Sequence, residues 1–195
     1  MKKRLEAQMA FMTEIDKLKT VLRQTILIDQ TRQETDAEHS WHFAMAAMLF
    51  AEYAVEEIDL CKVIKMALVH DLIEIYAGDT FAYDEAAKEG QAAREAAAAK
   101  KLFAILPEDQ CSVYAALWQE FEAGETPEAH YAAAIDRIQP FINNVMTNGH
   151  TWKIGNVKKE QIYARMAPVR SYLPALWPYV TENVEAYFSE KEEDE

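Results

Sequence analysis

The sequence predicts an all-α, single-domain helical bundle, and three observations predict it. Apolar residues recur at helical spacing through nearly every segment, no Val/Ile/Thr alternation marks a strand, and helix-capping residues punctuate the chain. With 195 residues, half of them hydrophobic and only five of them glycine, the chain can bury a core without disulfides or a structural metal.

Each element has its own signal. Leu5 to Leu22 carries apolar residues at helical spacing, and Thr35-Asp36-Ala37-Glu38 has the form of a capping box opening a helix that runs to about Ala54. Asp59 caps a helix ending near Tyr76, with Gly78 beyond it. Asp84 opens an Ala-rich helix to Leu106, and Pro107 starts another that closes at Gly124. Thr126 and Pro127 supply an N-cap and first position for a long helix stopped by Gly149. A shorter helix covers Lys158 to Met166, and a last one runs from about Val169 to Phe188, interrupted by Pro174 and Pro178. The closing SEKEEDE reads as a frayed, solvated tail.

The net charge of -13 would repel a phosphate backbone, which argues against a nucleic-acid polymer as partner but leaves a small anionic substrate open. No apolar run reaches the roughly 18 residues that span a bilayer, so no membrane partner is expected. Cys61 and Cys111 form no CxxC pattern and read as reduced, buried thiols in a cytoplasmic protein. Apolar and aromatic residues of the C-terminal helix are a candidate homodimer face.

The informative residues are polar ones in apolar company. At about 100° per residue, His70, Asp71 and Glu74 share one arc of the Asp59–Tyr76 helix, and nearly all its other positions are apolar. A helix apolar nearly all round is buried, so this arc faces inward or into a cleft and needs a compensating cation. Two adjacent side chains cannot enclose an ion alone. His39, behind the Thr35 capping box, and Asp136, in AAAIDRIQPF, are the candidates to complete the shell. Imidazole with carboxylate suits Mn, Fe, Co or Zn, with Mg less favoured. His42 reads as supporting or core. Pro140 deprives the Asp136 carbonyl of its helical partner, which suggests either a kink aiming Asp136 or a gentle curve. Arg23 and Arg32 are rival candidates to hold an anion.

The ordered set AEHSW, HDLIE followed by AGD, and an isolated later Asp resembles the HD-domain metal-dependent phosphohydrolases, most closely the small HD proteins grouped with 5'-deoxynucleotidases. The likeness runs from about Leu18 to Trp152. It implies an HD-domain helical bundle over 1–189 with 190–195 as an acidic tail, and one divalent metal (Mn, Co, Fe, Zn or Mg) on His39, His70, Asp71 and Asp136. It further implies that Glu74 transfers a proton, that Asp79 is a second required acid, and that Arg23 holds the substrate phosphate. One departure stands out: Gln24 follows Arg23 where the bacterial enzymes have tryptophan.

The implied activity is removal of phosphate from nucleoside 5'-monophosphates, with 2'-deoxy forms foremost. An HD-class phosphodiesterase or nucleotide triphosphohydrolase, and a non-catalytic metal- and nucleotide-binding module, are the competing expectations.

Overall fold

Capping residues set most helix boundaries. The computed structural model describes residues 1–84 and 86–194, with side chains through 190. Its helices are α1 (Lys2–Ile15), α2 (Asp36–Leu49), α3 (Leu60–Val69), α4 (Glu74–Ala77), α5 (Gln91–Phe103), α6 (Glu108–Ala123), α7 (Pro127–Met146), α8 (His150–Ile154), α9 (Lys159–Arg165), α10 (Ala167–Tyr172) and α11 (Trp177–Asp194). The Thr35 capping box forms in full: the Glu38 amide donates to Thr35 Oγ1 at 3.3 Å, and the Thr35 amide donates to a Glu38 carboxylate oxygen at 3.0 Å. Asp59 caps α3 and Thr126 caps α7, each by accepting an amide bond at 3.2 Å. Helix α7 runs unbroken through Pro140. The side chains of the expected acidic tail beyond 190, and Glu195 entirely, lie outside the described residues; backbone helix continues to Asp194.

Four boundaries differ from the sequence reading. Strands β1 (Leu22–Ile26) and β2 (Gln33–Thr35) pair antiparallel where no strand was expected. The two are short and their pairing is irregular between Leu22 and Ile26, so neither offers enough alternation to register. For the same reason the first helix stops at Ile15: a 3-10 turn over Asp16–Thr20 leads into Val21, whose ψ of 121° is already extended. The Asp84 helix begins only at Gln91, because Gly90 takes a left-handed φ of 69° and Asp84 caps a turn at Ala87 instead. The helix from Asp59 is interrupted at His70–Ile73 by a 3-10 segment before resuming as α4. In 3-10 geometry residues three apart eclipse, so the segment brings Asp71 toward Glu74, the first residue of α4.

That 3-10 segment is also the seam of the core. On one side α2, α3 and α7 bury Phe43, Met66, Ile135 and Ile138, with Val169 and Val180 from the C-terminal helices. On the other, Phe11 and Leu18 pack with Val69, Leu72 and Ile73 against Leu102 and Phe103 of α5. The polar residues of the 3-10 segment thus lie between two apolar bodies. Exposed large apolar side chains run along α1 (Leu5, Met9, Met12) and α2 (Trp41, Met45, Met48) more than along α11, where Tyr179 is the exposed one. The C-terminal dimer face therefore has little apolar surface to recommend it. Cys61 is exposed rather than buried, and both cysteines are free. Among the described residues no helix is long and apolar enough to cross a membrane.

Candidate metal centre and its cleft

His39, in the first turn of α2, is fully buried. Its Nδ1 lies 2.6 Å from Gln139 Oε1. An amide oxygen only accepts, so Nδ1 carries the hydrogen and Nε2 is left with a bare lone pair. That Nε2 faces Asp136 Oδ1 at 3.1 Å and Asp71 Oδ2 at 3.7 Å. His70 repeats the arrangement: its Nδ1 donates to the Ala67 carbonyl at 2.9 Å, and its Nε2 lies 3.1 Å from Asp71 Oδ1 and 3.7 Å from Asp136 Oδ1. The structure thus brings all four predicted residues to one centre, with His39, His70 and Asp136 ligand atoms lying within 4.8 Å of one another.

Two further observations test whether a cation fits. His70 Nε2 is buried without a hydrogen-bond partner, an arrangement that costs free energy unless something occupies the lone pair. Burial alone would depress the His70 pKa, yet the neighbouring Asp71 charge, aided by Asp136, raises it to about 10. Asp71 itself, against its burial, is held at about 2 by His70 and Arg23. Asp136 stays well below the carboxylate range despite its burial, because Arg137 and both histidines favour its ionised form. The cluster demands positive charge at its middle. Two imidazoles fixed by hydrogen bonds at the far nitrogen, with two carboxylates, are a donor set that a divalent ion fits.

A second acidic group meets the first at Asp71. Ligand-type oxygens of Asp36, Asp71 and Glu74 also lie within 4.8 Å of one another. Here a cation is already present: Arg23, projecting from β1, places Nη1 at 3.2 Å from Asp36 and 3.1 Å from Asp71, with Asp79 at 3.8 Å and Glu34 3.7 Å from Nε. Glu74 is pushed well up by burial first, then by the Asp71 charge, and its carboxyl hydrogen-bonds to Asp36. Burial also raises Asp36 to about 6, and Glu34 to about 7. Burial and the neighbouring charges thus favour a proton on the Glu74–Asp36 pair. Burial likewise raises Asp79, with Arg23 pulling the other way. Gly78, at φ 77° and ψ 149°, makes the turn that carries Asp79 back toward Arg23; side-chain-bearing residues do not adopt that backbone geometry.

The centre opens into a cleft lined by Arg23, His70, Asp71, Glu74, Asp79 and Asp136, and also by Arg137, Arg165 and Glu122. A neighbouring hollow lined by Phe81, Tyr83, Phe141, Asn144 and Trp152 shares Arg23, Asp79, Arg137 and Arg165 with it. Arg32 lies elsewhere. It is exposed and paired in a fork with the Glu38 carboxylate, so it does not reach this cleft. His42, by contrast, touches the Gln139 amide at 2.9 Å and supports the His39 side of the centre. Sequence reasoning missed Asp36, concealed as a capping-box residue, and Gln139, which only the register of α7 against α2 could reveal. It also missed Arg165, for which no local pattern exists.

A family model described as HD domain matches residues 15–177. The chain belongs to the HD-domain family. A solved structure described as a predicted metal-dependent phosphohydrolase, from Magnetospirillum magnetotacticum, is 47% identical and superposes with a TM-score of 0.91 over 96% of this chain and 94% of its own. An HD-domain phosphohydrolase from Listeria innocua, 20% identical, aligns over 91% of this chain and 92% of its own at a TM-score of 0.63, a likeness of fold alone. Among curated proteins, 5'-deoxynucleotidase HDDC2 of Xenopus laevis is 32% identical over 130 residues. That stretch is 66% of this HD-domain chain and 63% of the frog protein, so the chain spans less than two thirds of the curated relative's length.

Proposed function

We propose that this HD-domain protein is a cytoplasmic, metal-dependent phosphomonoesterase that releases phosphate from nucleoside 5'-monophosphates, with 2'-deoxy forms as its preferred substrates. The observation that carries the reading is the pair of buried imidazoles whose Nδ1 atoms are spoken for and whose Nε2 atoms face Asp71 and Asp136. The likeness to a 5'-deoxynucleotidase and to a metal-dependent phosphohydrolase supports it.

In this reading His39, His70, Asp71 and Asp136 hold one divalent ion, of Mn, Co, Fe, Zn or Mg. Such an ion supplies a Lewis acid for a phosphoryl oxygen and lowers the pKa of water beside it. The chain's own groups manage protons and orientation. Glu74, kept protonated by burial and the Asp71 charge, gives its proton to the departing sugar oxygen. Asp79, with its pKa raised and its carboxylate near Arg23, accepts a proton from the attacking water. Arg23 neutralises the carboxylates around it and presents its remaining donors to phosphate. An aromatic hollow adjoins the cleft, with Phe81, Tyr83, Phe141 and Trp152 beside it to contact the nucleoside.

The test is elemental analysis of the purified protein, followed by phosphate release from ribo- and deoxynucleoside 5'-monophosphates with Mn, Co or Mg. Metal-stimulated release, faster for the deoxy series, is expected. Bound metal with no release across the panel would leave a binding module in place of an enzyme.

A further inference from the structure

The chain carries 33 acidic against 20 basic residues, yet one wall of the cleft runs against that balance. Arg137 and Arg165 line the metal cleft, the aromatic hollow beside it and a third recess that they share with Lys88. That recess is lined otherwise by Ala82, Tyr83, Gln161, Ala164 and Pro168, with no carboxylate among them. Arg137 and Arg165 come together in all three hollows.

The arginines of the cleft are not equivalent. Arg23 is surrounded by Glu34, Asp36, Asp71 and Asp79, so its charge is cancelled by the protein itself. Arg137 spends one Nη on Asp136. Arg165, at the last turn of α9, has no hydrogen bond or ion pair among the described residues, although it is only partly exposed. Burial first and the Arg137 charge second lower its pKa to about 10, against the pull of Asp136. One carboxylate, Asp136, serves Arg137 and none is paired with Arg165, so the two guanidiniums leave donors that an anion satisfies, and their planar forks match phosphate oxygens. Arg137 also touches the carboxylate of Asp136, so an anion held between the two arginines lies next to the metal centre.

We infer that Arg165, together with Arg137, is the principal clamp on the phosphate of the substrate, on the α9 side of the cleft. This rests on the phosphomonoesterase reading and adds to it a binding residue outside the HD motifs. Arg23 then acts mainly on the acidic group, and the affinity for phosphate is set by the unpaired arginine.

The experiment compares wild type, Arg165→Gln and Arg165→Lys. It measures kcat and KM for a nucleoside 5'-monophosphate, competitive inhibition by inorganic phosphate, and metal content. Loss of a charge-assisted contact raises KM and the phosphate inhibition constant together, by about 10- to 100-fold in Arg165→Gln. Metal content stays at the wild-type level, and Arg165→Lys recovers part of the affinity because it restores charge without the fork. KM and phosphate inhibition unchanged in Arg165→Gln, or a loss that follows loss of metal, overturns the inference while leaving the enzyme reading intact. Should wild type release no phosphate, that reading fails by itself, and calorimetric titration of the metal-loaded proteins with inorganic phosphate decides. Binding by wild type that Arg165→Gln lacks supports the clamp; equal binding, or none by either, overturns it. If Arg165→Gln does not fold, Arg165→Met removes the same charge and takes its place.

Discussion

Two groups of metal-ligand type sit side by side in this molecule, His39/His70/Asp136 and Asp36/Asp71/Glu74, and they have opposite fates. In the first, the Nδ1 of each imidazole is tied to a group away from the centre, and His70 Nε2 is buried with no hydrogen-bond partner. In the second, Arg23 already stands between the carboxylates of Asp36 and Asp71, and burial pushes Glu74 toward its protonated form. Clustered acids alone therefore do not make a metal site. What distinguishes the two is whether the protein has supplied its own cation.

Substituting Asp71, which belongs to the second group and borders both imidazoles of the first, has the largest effect. On the proposed function, Asp71→Asn takes a carboxylate from beside the two imidazoles and a partner from Arg23; turnover should fall by about 10³-fold or more with metal content lost alongside. Metal retained at wild-type level would mean that the two groups are not joined through Asp71. Glu74→Gln separates them. It cannot give up a proton, so kcat should drop by about 10²- to 10⁴-fold while metal binding persists. Loss of metal in that variant would place Glu74 in the first group instead.

The pH dependence of stability sharpens the contrast. Glu34 and Asp36, with folded values of about 7 and about 6, lie above ordinary carboxylates. The stability they contribute is full when both are protonated and is lost as pH rises from about 4 through 7. His70, raised to about 10, contributes stability that is full below its unfolded value of about 6.5 and is lost as pH rises toward 10. Metal-free protein should accordingly melt at progressively lower temperature between pH 5 and pH 9, as followed by circular dichroism. Added divalent ion should flatten only the upper part of that slope, because it replaces the His70 proton and leaves the second group alone. A slope unaffected by metal would break the distinction. The smallest effect is expected at Arg32, whose exposed fork to Glu38 stands apart from both groups. Arg32→Ala should leave KM and metal content unchanged in the same assays.

Much of this was legible in the sequence, for local reasons. The capping box at Thr35, the Asp59 cap and the Thr126–Pro127 start are chemical signals spanning a few residues, and each formed as expected. His39, His70, Asp71 and Asp136 stood out because charge in an apolar helix must be compensated. What stayed hidden needed three dimensions. The 3-10 segment at His70–Ile73 uses residues that fit an α-helix equally well, so only packing between the two apolar bodies distinguishes them. Asp36 stands between Thr35 and Glu38 inside the capping box with no signal of its own, yet it is fully buried beside Arg23 and Glu74. Arg165 has no neighbours in sequence that mark it, and its significance lies in what it does not touch.

The contact between His39 and Asp136 joins positions 97 residues apart. An ion gripped by both would act as a rivet across half the chain, closing a long loop that the unfolded polymer must otherwise find by diffusion. Retention of the ion and integrity of the bundle would then be a single cooperative property, so that chelation loosens regions far from the cleft.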